Sequence, residues 1–78
     1  MSGWQREGEA LVCELKFDDF AAAMAYVNRV ADLAEEVDHH PDILVHGWNH
    51  VRLTLTTHSA GGLTDNDYAM ARRIDELP

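Results

Sequence analysis

The sequence predicts an α+β fold in which an antiparallel four-stranded sheet has two helices packed on one face, in the order β-β-α-β-β-α. Two stretches, residues 10–17 and 51–57, alternate apolar and polar side chains as half-buried strands do. Between them, residues 20–37 repeat apolar side chains every three or four positions, which is typical of an amphipathic helix. We expect a single domain over residues 1–78, because a chain this short supports only one core.

The first two strands precede the long helix. Alternation in residues 10–17 places Leu11 and Cys13 on the face that is buried. Residues 4–7 form a shorter strand that pairs with it across Gly8. Because the chain has one cysteine, Cys13 is expected to be an inert core thiol.

The long helix is predicted to begin after an N-cap at Asp18 or Asp19 and to run for about five turns. Its end is set by Pro41, which disfavours helical geometry at His40. The face expected to pack against the sheet comprises Phe20, Ala23, Met24, Val27, Val30, Ala31, Ala34 and Val37.

The second half of the chain repeats the strand-strand-helix pattern. A short strand over residues 43–46 leads through Gly47 to a longer one over residues 51–57. The polar face of the longer strand comprises Arg52, Thr54, Thr56 and His58. The last helix is predicted over residues 65–77, with Thr64 as its N-cap and Asp67 in the N3 position of a capping box. Its buried side chains are expected to be Tyr68, Ala71, Ile74 and Leu77.

Charge and composition exclude several classes of protein. The formal net charge is −8, from 14 acidic and 6 basic residues, so a phosphate backbone is repelled and we expect no binding to nucleic acid. No apolar run has the length of a signal peptide or a membrane span, which predicts a cytoplasmic protein without membrane contact. Because so small a core gives little stability, we also expect a homodimer or homotetramer.

Three histidines and two carboxylates form the candidate site. His39 and His40 are adjacent, and His58 follows them at a distance along the chain. Glu35 precedes His39 by four positions, and Asp67 follows His58 by nine. Since imidazole donates or accepts a proton near neutral pH, this set predicts a proton-transfer site.

The spacing of these residues forms a motif that covers nearly the whole chain. An acid is followed after three residues by His-His-Pro, then by an aromatic residue, a third His and an Asp. These positions are filled by Glu35, His39, His40, Pro41, Trp48, His58 and Asp67. Matching segments also include Gly3-Trp4, Phe17-Asp18-Asp19-Phe20 and Gly61-Gly62-Leu63-Thr64. In this pattern, from about residue 3 to 76, the chain resembles the pterin-4a-carbinolamine dehydratase family.

The resemblance implies the dehydration of 4a-hydroxytetrahydropterin to quinonoid dihydropterin and water, a step that recycles the pterin used by aromatic amino-acid hydroxylases. The pterin is the substrate, and neither cofactor nor metal is implied. His39 and His58 are predicted to be general acids for the hydroxyl group, and His40 to bind the pterin and move the proton of ring nitrogen N5. Glu35 and Asp67 are predicted to orient these imidazoles. The predicted substrate-binding residues are Asp38, Pro41, Trp48, Thr56, Thr57 and Ser59.

Other interpretations of the same residues stay open. Asp67 is explained fully by its capping position, and Glu35 by a solvated helix face. His46 and His50 have the i, i+4 spacing of a helical zinc pair, although Gly47 and β-prone neighbours argue against a helix there. A non-enzymatic interaction module on the same fold is the second alternative, since fold does not fix function.

Overall fold

The computed structural model describes residues 3–78 and has the predicted element order. Between the last strand and the last helix, His58–Ala60 form a single turn of 3₁₀ helix. The strands are β1 (Trp4–Glu7), β2 (Ala10–Lys16), β3 (Asp42–His46) and β4 (His50–Leu55), and the helices are α1 (Phe20–Val37) and α2 (Asp65–Asp75).

The four strands form one antiparallel sheet in the order β1-β2-β4-β3. The register pairs Leu11 with Leu55 and Cys13 with Leu53, so the apolar residues of the two central strands share one face. This face and the helices enclose the core, in which Val51, Leu53 and Leu55 are fully buried. The alternation predicted for both long strands is therefore confirmed, as is the burial of Cys13.

The opposite surface of the sheet, which we call the open face, carries mainly polar side chains. It comprises Gln5, Glu7, Ala10, Val12, Glu14, Lys16, Asp42, Leu44, His46, His50, Arg52 and Thr54. Glu14 lies at its centre, where it accepts a hydrogen bond from Arg52 Nε at 2.8 Å and contacts His46 Nε2. These contacts hold together β2, β3 and β4 on the side away from the core.

Helix α1 packs on the sheet through a face that coincides only in part with the predicted one, since Ala23, Val30 and Ala34 are buried as expected. The side chain of Asp19 accepts from the N–H of Ala22 at 2.7 Å, which confirms Asp19 as the N-cap. The buried residues of α1 are Ala23, Tyr26, Val30, Leu33 and Ala34. Phe20 is 53% exposed, and Ala31 and Val37 are exposed as well. Helix α1 has two overlapping apolar stripes, and the one that packs against the sheet includes Tyr26 and Leu33.

The ends of β4 and of α2 differ from the prediction. Strand β4 stops at Leu55, since the backbone of Thr57 pairs with Gly62 instead of with a neighbouring strand. His58 consequently lies in the 3₁₀ turn and not on the polar face of β4. Helix α2 ends at Asp75, two residues earlier than expected, and buries Asp67 and Met70 together with Ala71 and Ile74, whereas Tyr68 and Leu77 are only partly buried.

Candidate functional site

The end of α1 sets the position of the histidine pair. Asp38 caps the helix in the left-handed region with φ 55°, and its N–H donates to the carbonyl of Ala34. The N–H of His39 donates to the same carbonyl at 3.2 Å. Pro41 is buried and the next strand starts directly after it, so His39 and His40 occupy a short link between helix and sheet.

Asp67 is the centre of the site and is fully buried. It occupies the N3 position of α2 in a capping box with Thr64, whose N–H donates to Asp67 Oδ2 at 2.9 Å. The hydroxyl of Thr57 donates to the same oxygen at 2.8 Å. The second oxygen, Oδ1, lies 2.6 Å from His39 Nε2. One carboxylate thus joins three separate segments of the chain.

The ionisation of Asp67 follows from these contacts. Burial acts to raise the pKa of its carboxyl group, but the hydrogen bonds from Thr64, His39 and Thr57 outweigh it, and the pKa lies below the ordinary value of 3.8. The carboxylate is therefore anionic at neutral pH and can only accept hydrogen bonds. It follows that Nε2 of His39 is the donor, and that Nδ1 is the ring nitrogen left to exchange a proton with a ligand.

His39 is accessible as well as fixed, because 20% of its side chain is exposed. Beside it lies a cavity of about 180 Å³. The cavity is lined by Val37, Asp38, His39, Asn66, Ala69, Met70 and Arg73. Sequence reasoning missed the α2 contribution, although Asn66, Ala69 and Arg73 stand at positions i, i+3 and i+7 and hence on one side of that helix.

His40 and Glu35 form a second pair of imidazole and carboxylate. His40 Nε2 contacts Glu35 Oε2 across the last turn of α1. Both side chains are exposed, so the contact adds little to stability. The contact brings Glu35 to the imidazole that it is predicted to orient.

The remaining predicted residues lie at different distances from Asp67. His58 and Ser59 are exposed in the 3₁₀ turn, and His58 directly follows Thr57. Thr56 donates its hydroxyl proton to the carbonyl of Glu9 at 2.7 Å. Trp48 is 61% exposed in the β3–β4 turn. His39 lies at the other end of that hairpin, three residues before Asp42, which pairs with Thr54. A separation of four paired positions corresponds to roughly 13 Å along the strands, so one chain does not bring Trp48 to His39.

The two histidines of the metal alternative lie on adjacent strands and not on a helix. The rings of His46 and His50 stack across the β3–β4 hairpin with centroids 5.2 Å apart. Within residues 3–78, no group of three or more His, Cys, Asp or Glu side chains is arranged to hold a metal ion. Over the same range, no helix combines the length and the apolar character needed to cross a membrane.

Proteins of one family match nearly the whole chain. The family model described as pterin 4 alpha carbinolamine dehydratase matches residues 1–77. A protein of Thermomicrobium roseum, named "Putative pterin-4-alpha-carbinolamine dehydratase", is 57% identical over 75 residues, which are 96% of this chain and 80% of that protein. A Mycobacterium tuberculosis protein of the same name is 49% identical over 77 residues, 99% of this chain and 81% of that protein.

Two solved structures share the fold. A transcriptional coactivator/pterin dehydratase from Brucella melitensis superimposes with a TM-score of 0.86 at 39% identity, over 95% of this chain and 80% of that one. A pterin dehydratase-like protein identified as a RuBisCO assembly factor in the alpha-carboxysome gives a TM-score of 0.72 at 29% identity, over 92% of this chain and 82% of that one.

Proposed function

Because the chain belongs to the pterin 4 alpha carbinolamine dehydratase family, we propose that it dehydrates 4a-hydroxytetrahydropterin to quinonoid dihydropterin and water. The observation that carries this proposal is the hydrogen bond between His39 and the buried carboxylate of Asp67. It gives an accessible imidazole a fixed orientation and a defined donor nitrogen.

The reaction needs two proton transfers and no electron transfer. The bond between C4a and the hydroxyl oxygen breaks, and a proton delivered to that oxygen lets it leave as water. Ring nitrogen N5 loses its proton, and the electron pair left behind forms the C4a–N5 double bond. An acid and a base near neutral pH are therefore sufficient, and each well-placed group contributes roughly 10²- to 10⁴-fold.

The histidines divide these tasks. His39 and His58 protonate the leaving hydroxyl, and His40 binds the pterin and takes up the N5 proton. His39 donates as the imidazolium, whose Nε2–H stays bonded to Asp67 while its Nδ1 proton goes to the leaving hydroxyl, which leaves the neutral Nε2–H ring. Glu35 orients His40 in the same manner, although both of these side chains are exposed to solvent.

The pterin presents an amide and an amino group that need hydrogen-bond partners. Asp38 lines the cavity beside His39, where its carboxylate can accept from the amino edge. Asn66 and Arg73 in the same cavity add a carbonyl, an amide and a guanidinium group. The sequence predicts Pro41, Trp48, Thr56, Thr57 and Ser59 as further substrate-binding residues. The proton of the Thr57 hydroxyl is already given to Asp67, and Trp48 lies too far from His39 in the same chain to reach a pterin bound beside that histidine.

Chains of this protein are proposed to associate as a homodimer or homotetramer. On α1, Phe20, Met24, Val27 and Ala31 form an apolar stripe beside the buried one, and Phe20 at its start is half exposed. Covering such a stripe with a second copy removes apolar surface that a core this small leaves in water. Light scattering on wild type and Phe20→Lys tests this, since the stripe predicts a shift towards monomer in the variant and an unchanged mass contradicts it.

The substrate implies a supplier. A hydroxylase that oxidises an aromatic amino acid with a tetrahydropterin releases the 4a-hydroxy adduct, so we place the protein beside such an enzyme in the cytoplasm.

The second candidate function is a non-enzymatic interaction module, which is favoured by the relative identified as an assembly factor. The three histidines, Glu35 and Asp67 are all present in this chain, which favours the dehydratase.

One assay separates these two candidates. The 4a-hydroxy adduct is generated by a phenylalanine hydroxylase, and its dehydration is followed in the ultraviolet with wild type, His39→Ala and the control His46→Ala. The proposal predicts acceleration by wild type and His46→Ala and its collapse in His39→Ala, because His46 lies on the open face away from Asp67. A folded wild type that does not accelerate dehydration over buffer overturns the proposal in favour of the interaction module.

A further inference from the structure

Thr57 has a backbone that is fixed independently of its side chain. Its N–H donates to the carbonyl of Gly62 at 3.2 Å, and its carbonyl accepts from the N–H of Gly62 at 3.1 Å. The N–H of Ala60 donates to the same Thr57 carbonyl at 3.0 Å. These bonds close the short loop that carries His58, and they set the direction in which the Thr57 side chain leaves the chain.

The hydroxyl of Thr57 lies between two other members of the site. Its single proton is given to Asp67 Oδ2, at 2.8 Å. The hydroxyl of Thr64 is 3.1 Å away and therefore donates to the Thr57 oxygen. A continuous row of hydrogen bonds runs from Thr64 through Thr57 to the carboxylate, which accepts from His39 on its other oxygen. Bonds in such a row strengthen one another in a buried setting.

We propose that Thr57 is a positioning residue, whose hydroxyl holds the Asp67 carboxylate so that the imidazole of His39 is fixed with Nε2 protonated and Nδ1 offered to the substrate. This inference rests on the proposed dehydratase function. It assigns Thr57 an action through Asp67 and His39, in place of the direct contact with the pterin that the sequence predicts. Thr64 N–H still holds Oδ2 when the hydroxyl is removed, so the carboxylate is loosened and not released.

Kinetics distinguish positioning from substrate binding. Thr57→Val keeps the shape of the side chain and the backbone bonds to Gly62 but removes the hydroxyl. Loss of one hydrogen bond to a charged group predicts a fall in kcat of about 10- to 100-fold, with KM changed by less than about threefold. Thr57→Ser restores the hydroxyl and is expected to recover most of kcat. A rise in KM with kcat unchanged overturns the proposal and makes Thr57 a substrate contact.

The matched control is Thr54→Val, which makes the same change at a position of β4 that lies on the open face of the sheet. It is expected to leave kcat and KM as in wild type. If it lowers kcat as much as Thr57→Val does, the loss reports a general effect of the substitution and the proposal fails.

Nitrogen NMR of the histidine rings tests the same point without activity. The ¹⁵N shifts of His39 are expected to report the Nε2–H tautomer in wild type and Thr57→Ser, and a mixture of tautomers in Thr57→Val. Wild-type shifts in Thr57→Val overturn the proposal. If wild type proves inactive, the dehydratase function fails by itself, and the ¹⁵N shifts alone then decide whether Thr57 positions His39.

Discussion

Replacing Asp67 with Asn is expected to disable His39 while leaving the protein folded. The amide has one oxygen and one NH₂ group where the carboxylate has two acceptors. Thr57 and Thr64 both donate to Oδ2, so the amide oxygen takes that place and the NH₂ group replaces Oδ1. It then faces His39 Nε2, which the native structure holds 2.6 Å from Oδ1.

Two donors cannot share that hydrogen bond, so the ring of His39 must move its proton from Nε2 to Nδ1. A neutral ring is a far weaker acid at Nδ1 than the imidazolium that the Asp67 carboxylate stabilises through Nε2–H, so the proton-transfer contribution of roughly 10²- to 10⁴-fold is lost from kcat. The stability cost is smaller, because a charge-assisted bond is exchanged for a neutral one at about 1–2 kcal/mol.

Dehydration kinetics and urea unfolding of Asp67→Asn measure the two effects separately, and the ¹⁵N shifts of His39 report the tautomer. Asp67→Ser serves as a comparison, since it shortens the side chain and removes the contact with His39 altogether. A kcat within threefold of wild type in Asp67→Asn, from a protein whose His39 has changed tautomer, would show that the contact between Asp67 and His39 does not support proton transfer.

Three further outcomes follow from burial and charge. The pKa of Asp67 is lowered on folding, so its contribution to stability is present above the ordinary value of 3.8 and is lost as the pH falls below it. Unfolding free energies measured between pH 6 and 3 should therefore fall more steeply for wild type than for Asp67→Asn, and equal slopes would contradict the lowered value. Leu53→Ala should cost about 2–5 kcal/mol in urea unfolding, because Leu53 is fully buried in a central strand, and a cost under about 1 kcal/mol would place it outside the core. Burial raises the pKa of Tyr26 to about 12, so in Tyr68→Phe the remaining phenol should ionise near that pH by absorbance, and ionisation near 10 would show that Tyr26 is solvated.

The fold could be predicted from the sequence wherever a local pattern determined it. Alternation placed Leu53 and Cys13 in the core, and Thr64 with Asp67 marked the start of α2 by the chemistry of a capping box. The face of α1 was predicted only in part, with Tyr26 and Leu33 missed, because spacing alone does not rank two apolar stripes. Only the shape of the sheet decides that Tyr26 is buried, beside Phe17 at a ring distance of 5.1 Å, while Phe20 stays exposed.

The candidate site could be predicted in part. Its histidines were visible from their spacing, and the contacts of Glu35 with His40 and of Asp67 with His39 have the form expected of orienting carboxylates. The partnership of Asp67 and Thr57 was not predicted, since Asp67 was explained already as a helix cap. The catalytic roles of all these residues remain predictions. Contacts across 28 positions, such as His39 to Asp67, depend on how two helix ends meet and leave no local signal.

We propose that histidines held in this site move the protons of the dehydration. The most direct test is the rate of 4a-hydroxytetrahydropterin dehydration by the His39→Ala, His58→Ala double variant, with folding checked by circular dichroism and His46→Ala as the control. We expect a rate near that of buffer alone for the double variant and the wild-type rate for the control. A double variant that retains the wild-type rate would contradict the proposal.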